Sequence, residues 1–418
     1  MSAALVRSVW WLHPAGLFIT VIVVTLLPAC AMSQRGYALY ETPKYLDGES
    51  LALAALGLLT VTVGVMLGTR TARPRAISIG TRRKLAKWFY VTAGLTVFGY
   101  AVWTLVGIKN GFSLNQIIDL AAVSSEDNYS ELKTDIFQTI PGVTTCTQFG
   151  LLAVLLGGIL GPRECRFLWP VVTVLVLLAL ARVFIVSERI ALVELAVLFG
   201  LSGLRRQVLS VPRTFATDTV LAIAPVIGLL LLVLLFGTAE YFRSWQFYQN
   251  DFDSFTDFTA ARLSGYYSTA HNNGAMAWSN DGAFPIPYHS LEWFWRLPLL
   301  GSTPLGFEQL TGLDARLAYQ EFLERYGNPE FNNPGGLFCP FLDYGAIGGG
   351  IFWFGFGFLA GRLYRGFLAG SFAGLFLYPF VVLSILEVPR ILYLCTVRPF
   401  PALVLLGVIA CSCCADVE

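Results

Sequence analysis

Apolar runs about as long as a bilayer is thick recur along this chain, and they constrain its fold more than any other feature. They cover roughly 15–32, 50–69, 88–108, 143–160, 167–186, 189–204, 216–238, 344–361, 367–386 and 391–411. Each is about long enough to cross the hydrocarbon as a helix, although the sixth is short and Arg398-Pro399 and Pro401 interrupt the tenth. With 56% hydrophobic and 13% charged residues in 418, and a mean hydropathy of +0.64, the composition lies outside the range of a soluble globular chain. The expectation is an all-α polytopic membrane protein with about ten transmembrane helices.

Charge sets the expected orientation. The stretch "RTARPRAISIGTRRKLAKW" (70–88) is basic without a single acid, which marks a cytoplasmic loop lying on anionic lipid headgroups rather than a nucleic-acid surface. Strict alternation then predicts cytoplasmic loops at 161–166, 205–215 and 362–366. Each is basic, through Arg163 and Arg166, then Arg205, Arg206 and Arg213, then Arg362 and Arg365. It places the acid-rich segment 109–142 outside and both termini in the cytoplasm. The first run, preceded by Arg7, reads as an uncleaved anchor. Three regions follow: seven spans over 1–238, a large extracytoplasmic loop over 239–343, and three spans with a cytoplasmic tail over 344–418. Residues 239–341 carry eleven acids against five arginines, and a loop of that length is usually functional.

The charges in "RVFIVSERIALVEL" (182–195) need an explanation at membrane depth. Residues 167–204 would make one helix of about 57 Å, too long for a single span and enough for two joined by a tight turn near 184–189. Arg182, Glu188 and Arg189 then flank the turn, with Glu194 about a turn and a half deeper. An ionisable group there costs at least about 2.5–3.5 kcal/mol unless it is paired or wetted. One reading has the acids pairing with the arginines to pin the helices. The other has two guanidinium groups at an outward-facing cavity holding an anion, because their planar fork suits phosphate oxygens. Both hold together if a carboxylate orients the arginine that binds the ligand.

The large loop interleaves aromatic residues with amides and acids. Apolar faces beside hydroxyl-binding groups suit sugars, while Trp245, Trp293 and Trp295 also fit a membrane-interface belt. Two Asn-Asn pairs, Asn272-Asn273 and Asn332-Asn333, are sugar-hydroxyl binders or turn formers. The D-x-D of Asp251 and Asp253, followed by Asp257, is too weak a pattern to predict a cation site. Eight cysteines lack partner histidines at zinc spacing, and "CSCC" (411–414) reads as interfacial. In "GAIGGGIFWFGFGFLAG" (345–361) the glycines allow close packing against a neighbouring helix.

Four blocks, "TIPGVTTCTQFG" (139–150), "RVFIVSERIALVEL", "ARLSGYYSTAHNNGA" (261–275) and "NPEFNNPGGLFCPFLDYGAIGG" (328–349), resemble bacterial oligosaccharide repeat-unit polymerases of the O-antigen or exopolysaccharide, Wzy-type, family. The likeness spans roughly residues 90–365. His271 stands where the pattern leads one to expect an apolar residue, so no catalytic role is carried over to it. The resemblance implies a GT-C-like glycosyltransferase in the bacterial inner membrane. It would join repeat units carried on undecaprenyl diphosphate at the outer face, without metal or other cofactor, beside a separate chain-length regulator. Loss of the diphosphate develops negative charge, which preplaced arginines stabilise. Arg182 and Arg189 are the first candidates for that role, with Arg262 and Arg296 second. The base or orienter is expected among Glu188, Glu330 and Asp343, in that order. Tyr266 and Tyr267 are candidate stacking platforms, and Asn272, Asn273, Asn332 and Asn333 candidate hydroxyl binders. The rival readings are an O-antigen ligase and a lipid-linked oligosaccharide flippase. The latter should show internal repeats and charge along a path, whereas here charge gathers near the expected outer face.

Overall fold

The computed structural model describes residues 9–72, 79–112, 136, 137, 140, 142–186, 188–210, 215–297, 300, 301 and 303–414. Most of the acid-rich segment, with Asp119, Glu126, Asp127, Glu131 and Asp135, lies outside the described residues, as do Arg7, Arg73, Arg75 and Arg213. Among the described residues the secondary structure is helical, without strands. The principal helices are α1 (Pro14–Ala31), α2 (Gly48–Thr71), α3 (Ile79–Lys109), α4 (Gly150–Leu160), α5 (Leu168–Val186), α6 (Ile190–Ser210), α7 (Phe215–Glu240), α8 (Phe255–Ser279), α9 (Ala315–Tyr326), α10 (Cys339–Ala369), α11 (Phe372–Glu387) and α12 (Phe400–Cys414). A helix occupies each of the ten apolar runs. Five helices, α1, α2, α3, α7 and α10, contain segments long and apolar enough to cross a membrane, and α4, α5, α11 and α12 contribute shorter apolar stretches.

Two differences from expectation have local causes. The run 143–160 opens as a 3-10 helix, Thr144–Phe149, before α4 begins. That tighter turn lies against Gly99 of α3, where a side chain would come within 2.7 Å of the Thr147 amide nitrogen. The largest piece of the region 239–343 is α8, a 25-residue helix whose polar residues obscure it in the sequence.

The chain divides into two compact units, one from Met1–Ala76 and Arg262–Phe400, the other from Ile77–Ala261 and Pro401–Glu418. In the first, α2 packs along α10, and glycines on both helices make the contact. A Cβ on Gly64 or Gly68 would sit 2.2 or 2.0 Å from the carbonyl oxygen of Phe354 or Phe358. On the facing helix, a Cβ on Gly357 or Gly361 would sit 2.3 or 2.4 Å from that of Val61 or Val65. This backbone-to-backbone approach is how helices associate where lipid removes the hydrophobic driving force. Helix ends are fixed by polar side chains. Asp47 and Ser50 form a capping box at the start of α2, and the Lys44 ammonium donates to the carbonyls of Cys30 and Met32 at the end of α1. In the second unit, α4 packs on α3 and α6, and α5 on α3 and α6.

Candidate functional site

The hairpin charges of the second unit are paired. Arg182 donates through Nε to Glu188 at 2.5 Å and through Nη1 to the Thr147 hydroxyl at 3.4 Å, and lies 6.0 Å from the centroid of the Trp103 ring. Arg189 binds Glu240 at the end of α7 and lies over the Phe236 ring. Glu240 is only 2% exposed, so Arg189 neutralises a carboxylate that water does not reach. Glu194 is also buried. α5 ends at Val186 and α6 begins at Ile190, so the break falls within the range expected from length. The two arginines thus have different acidic partners, and each lies beside an aromatic ring.

The first unit holds a second arginine cluster. Arg262, on α8, pairs with Glu330 and stacks on Phe331 at 5.4 Å. One turn along the same helix, Tyr266 receives Arg390: Nη2 donates to its hydroxyl at 2.7 Å, and the guanidinium carbon lies 4.3 Å from its ring centroid. Arg390 also bonds Glu387 at 2.9 Å. Glu387 and Arg390 were not among the residues singled out from sequence. Their signal was of the kind that exposed Arg182, an acid and an arginine at the break between two apolar runs.

The remaining candidates fall into place around α8. The Asn272 side chain accepts from the Tyr45 amide and donates to the Pro43 carbonyl, both at 2.7 Å, fixing the segment before α2. Asn273 donates to the carbonyls of Phe331 and Asn333 and so holds the "NNPGG" turn. Gly335, at φ +71°, packs that turn so closely that a Cβ there would sit 2.4 Å from the Ala270 carbonyl oxygen. Asn332 is exposed and Tyr267 half-buried. His271 is fully buried, with Nε2 2.9 Å from the Thr25 hydroxyl. Arg296 is 57% exposed and pairs with Glu292 one turn before it. Asp343 accepts from the amides of Tyr288, His289 and Ser290 and from the Ser290 hydroxyl, so both its oxygens anchor the segment that follows α8. Of the acids in "DFDSFTD", Asp257 bonds Ser254 at the start of α8. No group of three potential metal ligands occurs among the described residues.

Chemically, the two clusters offer guanidinium groups held by carboxylates and flanked by aromatic faces. Such groups can bind an oxyanion without reorganising, because the acid fixes the arginine while the ring limits water. No protein-family model, curated protein or solved structure matches the chain.

Proposed function

We propose that this protein is a glycosyltransferase of the repeat-unit polymerase kind, joining oligosaccharide units carried on undecaprenyl diphosphate. The observation that supports it is the meeting of the four sequence blocks in pairs. Thr147 of the first block contacts Arg182 of the second. Arg262 and Asn273 of the third contact Glu330, Phe331 and Asn333 of the fourth. Residues far apart in sequence gather around arginines in each case. In this reading ten helices cross the bacterial inner membrane, both termini are cytoplasmic, and the 239–343 region faces outward with the arginine clusters.

An acceptor hydroxyl attacks the anomeric carbon of the donor glycan, forming the new C–O bond as the bond to the diphosphate breaks. The lipid diphosphate departs with the electron pair, and the hydroxyl proton passes to a carboxylate. A single displacement inverts the anomeric centre. Arg182 and Arg189 stabilise the departing charge. Glu188 is the carboxylate that stands beside Arg182, as Glu330 stands beside Arg262 within the first unit, whereas both Asp343 oxygens accept from the 288–290 segment. Arg262 and Arg296 are anion contacts within the first unit, paired with Glu330 and Glu292.

Purified protein in nanodiscs, supplied with lipid-diphosphate-linked repeat units of its host, should make a ladder of products without added metal. Arg182→Lys and Arg262→Lys keep the ion pair but lose the planar fork, and each should lower the rate at least tenfold while the protein remains folded. A single addition to a different acceptor would point to a ligase. Lipid-linked sugar crossing sealed vesicles without bond formation would replace the enzyme with a transporter.

A further inference from the structure

A cleft of about 260 Å³ opens in the first unit between the end of α8, the turn that follows it and the start of α10. Its wall includes Trp278, Asp281, Ala283, Phe284, His289 and Asp343. Backbone conformation shapes it on two sides. Asp281 and Gly282 both take positive φ, +57° and +70°, which ends α8 abruptly and turns the chain over the opening. Gly345, at φ +70° inside α10, breaks that helix beside the cleft, with nothing within 4 Å of where its Cβ would stand. Conformations of this kind cost free energy in residues other than glycine and gather at functional positions.

The lining combines polar and aromatic groups. The His289 ring nitrogens have no hydrogen-bond partner among the described residues, while its backbone amide is tied to Asp343 and its ring lies 5.2 Å from Phe284. Burial keeps this imidazole neutral by holding its pKa below the ordinary histidine value, against the nearby Asp343. It thus offers one donor and one acceptor without a positive charge. Asp281 and Asp343 make the opening unfavourable to anions. Trp278 is oriented by its indole N–H, which donates to Glu49 at 2.8 Å. A neutral donor–acceptor pair, an exposed carboxylate and aromatic faces suit a polyhydroxylated ring. The volume is below the roughly 300–1,000 Å³ typical of drug-sized ligands, which fits one ring rather than a chain.

We propose that this cleft is a subsite for a single neutral sugar ring, hydrogen-bonded by His289 and Asp281 against the faces of Trp278 and Phe284. The assignment of a sugar rests on the polymerase reading, and it makes the cleft a selector of one residue of the acceptor unit.

The test uses the full chain in nanodiscs and the methyl glycosides of glucose, galactose, mannose and N-acetylglucosamine, read by saturation-transfer NMR. At least one should bind saturably. Its affinity should fall at least tenfold in His289→Ala, which removes the donor–acceptor pair, and in Ala283→Phe, which fills the cleft. Both variants should elute as the parent does in size-exclusion chromatography. Absence of saturable binding to the parent, or equal binding by parent and both variants, would overturn the subsite even if the parent makes the polymer ladder. Binding that both variants lose, in a parent that makes no ladder, would uphold the subsite and remove the polymerase reading instead.

Discussion

At the scale of single residues, the charges within apolar sequence are pairs first and ligand groups second. Arg189 and Glu240 make the sharpest case, because Glu240 is almost wholly enclosed. Removing one partner of a buried pair leaves an uncompensated charge and costs about 3–5 kcal/mol, whereas removing both can be nearly neutral. Arg189→Met should therefore destabilise strongly, and Arg189→Met combined with Glu240→Leu should recover most of the loss, as measured by thermal unfolding in detergent. Equal stability in the single and double variants would show that the two side chains do not depend on each other. The sequence exposed Arg182, Glu188 and Arg189 because charge is conspicuous among apolar residues. Pairing within the hairpin was among its readings, and Arg182 does bind Glu188; it did not reveal Thr147 or Glu240, which lie 35 and 51 residues away. Asn272 and Asn273 show the opposite difficulty. Their composition suggested sugar hydroxyls, yet their amides bond protein backbone, a distinction that residue type alone does not carry.

At the scale of elements, helix positions were legible and helix limits less so. Hydropathy located the ten helical runs, but not the 3-10 start before α4 or the polar helix α8, whose 25 residues have too little apolar periodicity to stand out. The glycines of 345–361 did announce close packing, and α2 is the helix they meet. A side chain there has nowhere to go, since the obstructing atoms are backbone. Gly361→Leu should cost at least the roughly 1–3 kcal/mol of an overpacked core, whereas Gly355→Leu, where nothing lies within 4 Å, should fold normally; comparing yields of monodisperse protein checks this. The capping box of α2 gives a pH prediction. Hydrogen bonds from the Ser50 amide, chiefly, hold the Asp47 carboxyl below its usual range. A carboxyl depressed in the folded state adds stability above its unfolded pKa, near 3.9, and loses it as pH falls through the folded value. Asp47→Ala should lower stability by about 1 kcal/mol at neutral pH and by less as pH drops below about 4.

At the scale of the whole molecule, the all-helical membrane architecture follows from composition and run length, and the function proposed for it follows from where the arginines gather. Contacts within the first unit join the segment before α2, the turn at 328–335 and the Glu387–Arg390 turn to α8, so these should share one side of the membrane. Single cysteines placed at Glu41 and Asn332, both exposed, should react with a membrane-impermeant maleimide from the outside of intact cells. One at Arg83 should react only after permeabilisation. The reaction itself is read from its stoichiometry in nanodiscs: lipid diphosphate released against glycosidic bonds formed, using lipid-linked repeat units as the sole substrate. A repeat-unit polymerase should release one lipid diphosphate for each new bond, with no added nucleotide or metal. Release of lipid diphosphate without a new bond, or intact recovery of the lipid-linked units, would contradict it.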